Sequence, residues 1–419
     1  MKRSYFVVGL ILLIFFVISF LTNILGPLIP DIIDSFSLSL ALAGFLPFSF
    51  FIAYGVMSIP AGMLVEKYKE KPILLASFVM AFLGSLLFAV FPYFPVAMFS
   101  LFLIGAGMAM LQVAINPLLR VAGGEAHFAF NSVLGQLVFG LASFVSPQVY
   151  TYLVLNLQDY SERANLIVKA LARVVPSRLP WISLYWVFTA VTLVMVMIIS
   201  AIRLPKVVRK GDERTGVWAT YGELLKNKSV ILFFLGIFAY VGSEQGVANW
   251  ISKFLSHYHG VDPQTAGADT VSYFWGLMTA GCLLGLIFLK LFDSRKVLIG
   301  FTGAALVCLT FAMFGPGKVA LYAFPLVGFF VSVMWSVIFS LALNSVEKHH
   351  GSFSGILCTA IIGGAVVPLI IGWLGDLFGL RFGMIFLYVT LGYILSIGFW
   401  SKPLITNITI RLKKKRAEQ

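Results

Sequence analysis

Glu244 is the residue whose type and position most clearly indicate chemistry, because it lies in the middle of a long apolar stretch. A carboxylate is costly in lipid, so it is expected to face the protein interior or a water-filled path. There it would take up a proton, hold a cation or bind a polar solute. The alternative is a protonated Glu244 bonded to a neighbouring helix. Polar residues at helical spacing predict a shared face, formed with Tyr240, Gln245, Asn249 and Ser252.

The other acidic residues are expected in less demanding surroundings. The sequence has 17 acidic residues, and we place all except Glu244 in loops, in tails or at the ends of apolar stretches. Typical members are Asp31, Asp34, Asp159 and Asp376. Glu244 alone is therefore expected well inside a span.

Neutral polar side chains recur in the other apolar stretches. Amides both donate and accept hydrogen bonds, which suits a hydroxyl-rich solute, and an indole can stack on the apolar face of a sugar ring. For any one of these residues the alternative is a hydrogen bond between helices. The predicted binding set is Asn23, Gln112, Asn116, Ser132, Gln136, Tyr240, Glu244, Gln245, Asn249, Trp275, Ser336 and Asn344.

Residues that ligate metals or act as nucleophiles do not cluster in the sequence. His257 and His259 lie near the end of an apolar stretch, where alternate residues of a helix do not converge on one ion. Cys282, Cys308 and Cys358 lie within apolar stretches, where a thiol normally packs. The His-Glu-x-x-His, Gly-x-Ser-x-Gly and Walker patterns are absent from the sequence. We therefore expect no metal site, no cofactor and no enzymatic activity.

The elements that must position these residues are membrane-spanning helices. With 60% hydrophobic and 11% charged residues, the chain is far less charged than soluble domains, which carry about 25%. A helix needs about 20 apolar residues to cross the hydrocarbon core, and about twelve such runs are present. The alternating segments of a β-barrel are absent, so the fold class is all-α integral membrane. The predicted spans cover 5–33, 40–66, 72–91, 95–120, 126–153, 180–203, 229–256, 269–291, 295–314, 317–344, 351–378 and 381–403.

Positive charge is concentrated on one side of the predicted membrane. The formal net charge is +13, and most of the 30 basic residues fall on the side that carries both termini. The positive-inside rule then predicts cytoplasmic termini for a multi-pass protein of the cytoplasmic membrane. The basic residues at 413–416 are expected to contact anionic lipid headgroups. The charge is thereby accounted for without a nucleic-acid partner.

The chain divides into two similar halves around a polar, basic stretch. We predict an N-terminal bundle of six spans over 1–203, a cytoplasmic linker over 204–228, a C-terminal bundle over 229–403 and a basic tail over 404–419. Glu66 with Lys67 and Lys71 follows the second span, and Asp293 with Arg295 follows the eighth at the corresponding place. Parallel six-span repeats of this kind build one large class of secondary carriers.

The loop after the second span carries a sequence signature. From Gly62 to Leu74 the chain reads Gly-Met-Leu-Val-Glu-Lys-Tyr-Lys-Glu-Lys-Pro-Ile-Leu. This resembles the Gly-x-Leu-x-Asp-Arg-x-Gly-Arg-Lys-x-x-Leu loop of the major facilitator superfamily, although Lys69 replaces a glycine and Glu70 a basic residue. The resemblance implies two six-helix bundles. The gating loops would be formed by Gly62, Glu66, Lys67, Lys71, Asp293 and Arg295.

Four further stretches are similar to the fucose, galactose and glucose proton symporters. They are Gln112–Pro117, Tyr240–Glu244, Ile338–Leu341 and Ile361–Gly364, the last followed by Pro368. The resemblance implies a secondary carrier that imports a neutral hexose or deoxyhexose by cation-coupled symport. Its sugar site would lie midway between two bundles that rock around it. We expect a monomer whose partners are the sugar and the membrane lipids.

Two positions depart from this family in a way that bears on mechanism. Fucose-permease-like proteins carry an acidic residue in the first span and another in the fourth, where this chain has Gly26 and Gln112. Neither side chain can take up a proton. Either Glu244 binds the coupling ion, a proton or sodium, or coupling is absent and the protein is a sugar uniporter. A proton-coupled exporter of amphipathic compounds is the other alternative.

Overall fold

The protein is described by a computed structural model that covers residues 5–123, 128–159, 165–202, 204, 222–346 and 350–402. Twelve helical spans among these residues are long and apolar enough to cross a membrane. The predicted all-α integral membrane fold is thereby confirmed. Most of the predicted linker and all of the predicted basic tail lie outside the described residues, so those two domain boundaries stay predictions.

Most spans are continuous helices, whereas spans 1, 10 and 11 are each built from two segments. The N-terminal half consists of Tyr5–Thr22 and Leu25–Phe36 (span 1), Leu40–Tyr68 (span 2), Glu70–Val90 (span 3), Phe94–Gly123 (span 4), Phe128–Gln158 (span 5), the short helix Leu166–Ala172, and Ser183–Ala201 (span 6). The C-terminal half consists of Lys228–His259 (span 7), Ala268–Leu291 (span 8), Ser294–Phe314 (span 9), Gly317–Val331 and Met334–Leu343 (span 10), His350–Thr359 and Gly363–Phe378 (span 11), and Leu380–Trp400 (span 12). Broken helices are tolerated at membrane depth where protein or a cavity surrounds them.

Successive spans cross in opposite directions, so twelve spans bring the two ends of the chain to one face. The described chain begins at Tyr5 and ends at Lys402. We call the face that carries these ends the termini side and the other face the opposite side. Odd-numbered spans run from the termini side to the opposite side, and even-numbered spans return.

Polar caps set several of the span boundaries. The Asn227 side chain accepts a hydrogen bond from the Ser229 backbone N–H, 2.9 Å away, at the start of span 7. Gly260 ends this helix with φ +64°, a conformation that favours glycine. Asp293 caps span 9 by accepting from the backbone N–H of Arg295, 2.9 Å away. Each cap satisfies a backbone group that the helix leaves unpaired.

Asp293→Ala is expected to lower the free energy of unfolding by about 1 kcal/mol, the usual value of an N-cap. Partial burial acts to raise the pKa of Asp293, but the hydrogen bonds and charge of Arg295 outweigh it and the pKa lies below its ordinary value. The stabilisation is therefore present above the ordinary aspartate pKa of about 4 and is lost as pH falls through the lowered value. Thermal unfolding in detergent over a pH series measures the difference from wild type. Asp269→Ala, which removes an exposed acidic residue from the first turn of span 8, is the control and should not show this pH profile.

Among the described residues the two halves contact each other mainly through three pairs of spans, 1 with 7, 2 with 11, and 5 with 8, and span 1 also contacts span 8. Glycines allow the closest approaches. A Cβ at Gly26 of span 1 would lie 2.2 Å from the backbone oxygen of Ala248 in span 7. A Cβ at Gly44 of span 2 would lie 2.9 Å from the Cα of Leu369 in span 11. Backbones this close leave no room for a side chain, so these contacts depend on glycine.

The contact between halves is uneven across the membrane. The first segment of span 1, Tyr5–Thr22, packs against spans 4, 5 and 6 of its own half, whereas the second, Leu25–Phe36, packs against spans 7 and 8. In the described part of the chain, spans 4 and 10 pack within their own halves. The halves are therefore held together mainly on the opposite side.

Candidate functional site

The polar face predicted on span 7 is present at mid-span. Gln245 donates from Nε2 to Glu244 Oε1 at 3.1 Å, and Tyr240 hydrogen-bonds to the same carboxylate. Asn249 follows one turn later, with Nδ2 3.5 Å from Gln245 Oε1. The neighbours Tyr240, Gln245 and Asn249 are buried, whereas Glu244 is half-buried. The carboxylate is thus held by polar neighbours, and its residue is less buried than theirs.

This face lies beside the seam between the halves. A Cβ at Gly364 of span 11 would approach the Cγ atoms of Gln245 and of Phe51 to 3.2 Å and 3.1 Å, and Phe51 belongs to span 2 of the N-terminal half. The ring of Tyr240 lies 6.1 Å from that of Trp335 in span 10. Elements of both halves therefore meet close to Glu244, as a site between two bundles requires.

Trp275 of span 8 also lies at the seam, with an unused donor. It is one turn before Thr279, whose Oγ1 would be 1.9 Å from a Cβ at Gly140 of span 5, so both share the face toward that span. The Trp275 side chain is 4% exposed, and its Nε1 has no hydrogen-bond partner among the described residues. A buried donor without an acceptor costs about 1–3 kcal/mol. Trp275 therefore carries a spare hydrogen-bond donor at the seam.

Trp275→Phe is expected to raise the half-saturation concentration for the neutral sugar that the resemblance implies about 2- to 10-fold, because it removes one hydrogen bond and keeps an aromatic ring. The measurement is the concentration dependence of labelled-sugar exchange. Trp186→Phe is the matched control, since Nε1 of Trp186 is likewise buried and without a partner among the described residues, but span 6 packs against span 3. An equal effect of both variants would contradict a solute contact at Trp275.

In the N-terminal half, Asn23 lies at the break in span 1 and its side chain is already bonded. Its Nδ2 donates to Ser143 Oγ of span 5 at 2.8 Å, and Ser143 Oγ lies 2.6 Å from Ser19 Oγ. This is the interhelical arrangement given above as the alternative for such residues. Asn23 therefore joins spans 1 and 5, and a role toward solute would require this bond to exchange.

The other predicted residues of this half lie toward the termini side. Gln112 is half-buried in span 4. Gln136 is exposed, one and two turns from Gly140 and Phe144 on the face of span 5 that contacts span 8. Asn116 and Ser132 lie in the same spans, but their side chains are outside the described part of the structure. Gln136 therefore lies on the termini side of the contacts that Gly140 and Phe144 make with span 8.

Two predicted residues of span 10 are not brought to Glu244. Ser336 is exposed. Asn344 follows the last residue of the Met334–Leu343 helix, with Nδ2 3.5 Å from Ser340 Oγ. It lies about 13 Å along the helix axis from Trp335, at 1.5 Å per residue. Trp335 is the span 10 residue that faces the site instead, through Tyr240.

The prediction that Asp31 lies at a span end was wrong. Span 1 continues to Phe36, where Ser37 ends it with φ 51°, so Asp31 lies more than one turn inside and is 9% exposed. Its Oδ2 accepts from the Tyr150 hydroxyl at 2.5 Å, and its Oδ1 accepts from Gln264 Nε2 at 2.9 Å. Glu244 is therefore not the only carboxylate that lies inside a span.

Asp31 belongs to a group of polar contacts that we call the closure, formed by Asp31, Asp34, Leu40, Ala41, Tyr150, Lys253, Gln264 and Asp376. Asp34 of span 1 faces Lys253 of span 7, with a carboxylate-to-ammonium distance of 3.8 Å. Asp376 of span 11 accepts from the first backbone N–H groups of span 2, at 2.7 Å and 2.8 Å. A carboxylate at a helix N-terminus is stabilising. The bond from Tyr150 lies within the N-terminal half, and each of the other contacts joins the two halves on the opposite side.

The described residues of the predicted gating loops bond within their own halves. Lys71 Nζ donates to the backbone oxygens of Ser200 and Ile202 at 3.0 Å and 2.7 Å, at the end of span 6. Arg295 Nε lies 3.2 Å from Asp293 Oδ1. Lys67 is over the ring of Tyr68, Gly62 lies within span 2, and the side chain of Glu66 is outside the described part of the structure. The polar contacts of the closure thus join the two halves on the opposite side, whereas these residues of the termini side bond within their own halves.

Comparisons with known proteins agree with this architecture. The Major Facilitator Superfamily model matches residues 11–361. A glucose/galactose transporter of Brucella abortus is 31% identical over 406 residues, which cover 95% of this chain and 94% of that protein. The L-fucose-proton symporter of Escherichia coli K12 is 25% identical over 398 residues, 90% of this chain and 89% of that protein. A crystal structure of the Escherichia coli fucose:proton symporter is similar over 96% of this chain and 100% of that chain, with a TM-score of 0.67 and 21% sequence identity.

These matches confirm the resemblance found in the sequence and the prediction of a multi-pass transporter and not an enzyme. They extend over the loop signature and the similar stretches in spans 4, 7, 10 and 11. The chain is a member of the Major Facilitator Superfamily and belongs with its fucose, galactose and glucose transporters.

Proposed function

We propose that this carrier imports a neutral hexose or deoxyhexose by cation-coupled symport with alternating access. The observation that carries the proposal is the half-buried carboxylate of Glu244, held at mid-span beside the seam by Tyr240 and Gln245. The relatives named as glucose/galactose transporter and L-fucose-proton symporter support the substrate class and the coupling. They favour a sugar carrier over an exporter of amphipathic compounds.

The proposed roles follow from the chemistry of each group. Glu244 binds the coupling ion, a proton or sodium, since Gly26 and Gln112 occupy the places of the family's acidic residues. Gln245 and Asn249 offer amides to sugar hydroxyls, and both can donate and accept. Gln112 and Gln136 supply further polar groups toward the termini side, and the roles predicted for Asn116 and Ser336 stay predictions. Trp275 supplies an unpaired hydrogen-bond donor, and both Trp275 and Tyr240 supply aromatic surface.

The orientation follows from the charge distribution. We place the termini side in the cytoplasm, because most basic residues lie there, and the protein in the cytoplasmic membrane. The closure then faces the outside, and the structure corresponds to the inward-facing state. One chain encloses both halves of the path, so the proposed working unit is a monomer in lipid, with no cofactor, no structural metal and no nucleic-acid partner.

The test of the substrate class is exchange of labelled sugar across proteoliposome membranes without any ion gradient. Vesicles loaded with unlabelled glucose, galactose, mannose or fucose are diluted into the labelled sugar. We expect rapid counterflow for at least one of the four and none in vesicles without protein. Failure of all four to exchange would refute the sugar proposal. If the sugar exchanges but neither a proton gradient nor a sodium gradient drives its accumulation, the protein is a uniporter.

A further inference from the structure

Asp31 is a buried carboxylate that the sugar site does not use. It lies in the second segment of span 1, about two turns from Asn23 toward the opposite side. Only 9% of the residue is exposed. A carboxylate within a span is expensive and usually marks function, so its surroundings indicate what it does.

The contacts of Asp31 form a chain across the two halves. Gln158 of span 5 donates from Nε2 to Gln264 Oε1 at 3.0 Å, and this bond directs the amide nitrogen of Gln264 toward Asp31 Oδ1, 2.9 Å away. The backbone oxygen of Gln264 is held by Thr151 Oγ1 at 2.7 Å. On the other oxygen, the Tyr150 hydroxyl donates to Asp31 Oδ2 at 2.5 Å. Gln264 stands at the start of span 8, so its bond to Asp31 links the halves.

The charges around Asp31 come from three elements. Asp34 lies on the same helix, and Asp262 comes from the loop before span 8. Lys253 of span 7 is engaged by Asp34 at 3.8 Å. Span 5 contributes the hydroxyl of Tyr150. Neither span 2 from residue 40 to 55 nor the helix of span 6 contains a charged residue. The cation of span 7, Lys253, is paired with Asp34 and not with Asp31.

Only the ionised form of Asp31 accepts both hydrogen bonds as they stand. A proton on Oδ1 would face the amide hydrogens of Gln264, which Gln158 holds in that orientation. A proton on Oδ2 would face the hydroxyl hydrogen of Tyr150. Protonation therefore forces one of the two bonds to be remade. Once the halves part, Asp31 loses Gln264 and meets external water, so its protonation and the state of the closure must be linked.

We propose that Asp31 is a proton-binding site of this carrier, separate from Glu244, whose protonation from the outside releases Gln264 and favours opening of the closure. The inference rests on the proposed orientation and alternating access. It assigns to span 1 a titrating group at a new position, between the sugar site and the external solution. Glu244 remains the group proposed to couple ion binding to sugar.

The experiment measures the opening of the closure directly, without sugar. Spin labels are attached to cysteines at Tyr93 and Lys318, exposed residues on the opposite side of the two halves, in a chain in which Cys282, Cys308 and Cys358 are replaced. Distances are recorded by pulsed electron paramagnetic resonance in lipid nanodiscs between about pH 8 and pH 5. For the wild type we expect a longer-distance population that grows as pH falls.

Asp31→Asn is expected to abolish this pH dependence. Gln264→Leu removes the link itself, and the longer distance should then be populated at every pH. Asp159→Asn, which removes an exposed acidic residue at the opposite-side end of span 5 outside the closure, is the control and should keep the wild-type response. A wild-type pH response in Asp31→Asn, or no response in the wild type, would overturn the proposal.

Sugar exchange on the same preparations separates this inference from the proposed function. Absence of exchange alongside a pH response lost in Asp31→Asn would refute the sugar substrate and support the site. Normal exchange with an unchanged pH response in Asp31→Asn would support the sugar substrate and refute the proton-binding site at Asp31. Each variant is first shown to elute as a single folded species. Loss of the pH dependence in both Asp31→Asn and Gln264→Leu would then guard against a local folding defect in either variant.

Discussion

Glu244→Gln is expected to abolish gradient-driven accumulation of sugar while leaving exchange of labelled for unlabelled sugar. Glutamine keeps the shape of the side chain and can bond to Tyr240 and Gln245, but it can neither bind a proton nor carry a negative charge. With one proton per sugar, each pH unit stores about 1.4 kcal/mol, enough for about tenfold accumulation. The variant should stop at about equal concentrations on both sides of the membrane.

The measurement is uptake of labelled sugar into proteoliposomes under imposed proton and sodium gradients, applied separately. Asp159→Asn removes an exposed acidic residue at the opposite-side end of span 5 and should accumulate sugar as the wild type does. Full accumulation by Glu244→Gln would place the coupling site elsewhere. If Glu244→Gln lost both exchange and accumulation, Glu244 would be assigned to sugar binding instead of to coupling alone.

Gly26→Ala is expected to open the closure and to reduce net uptake by one to two orders of magnitude. The added Cβ would lie 2.2 Å from the backbone oxygen of Ala248, and backbone cannot turn aside as the end of a flexible side chain can. Overpacking of this kind costs about 1–3 kcal/mol, which corresponds to a shift of about 5- to 150-fold in the balance between two states. The spin labels at Tyr93 and Lys318 should report the longer distance.

Gly9→Ala is a close control for this variant, because Gly9 lies in the same span and a Cβ there would meet nothing within 4 Å. It makes the same chemical change in a helix without touching the other half. Wild-type uptake by Gly9→Ala and reduced uptake by Gly26→Ala is the expected pair of results. Equal uptake by both would show that the approach of spans 1 and 7 at Gly26 is not needed for the transport cycle.

The spans were predictable because the length of an apolar run is a local property of the chain. The face of Glu244 was predictable for a similar reason, since Tyr240, Gln245 and Asn249 lie within three turns of one helix. Depth along a span was harder to judge. Asn344 has a polar side chain in an apolar run, but the helix of span 10 ends at Leu343, which places it at the termini side.

The closure was missed because its contacts join distant parts of the chain. Asp31 pairs with Gln264, 233 positions away, and Asp376 pairs with the start of span 2, more than 300 positions away. Neither partner has a local signature. For Asn23 the sequence left two alternatives open, since an amide that joins spans 1 and 5 cannot be told from one that binds solute until Ser143 is placed beside it. The predicted first span, 5–33, already included Ile32 and Ile33, but it ended three residues before the observed helix end at Phe36.

Sugar-induced proton movement tests the central claim most directly. Proteoliposomes in lightly buffered, sodium-free medium receive the sugar that exchanges best, and the external pH is recorded. Coupled import through Glu244 predicts that the medium becomes more alkaline as sugar enters, with no such change for Glu244→Gln. If sodium is the coupling ion, the same sugar should instead require external sodium for accumulation. Sugar entry that moves no proton and is indifferent to sodium would contradict cation-coupled symport and establish a uniporter.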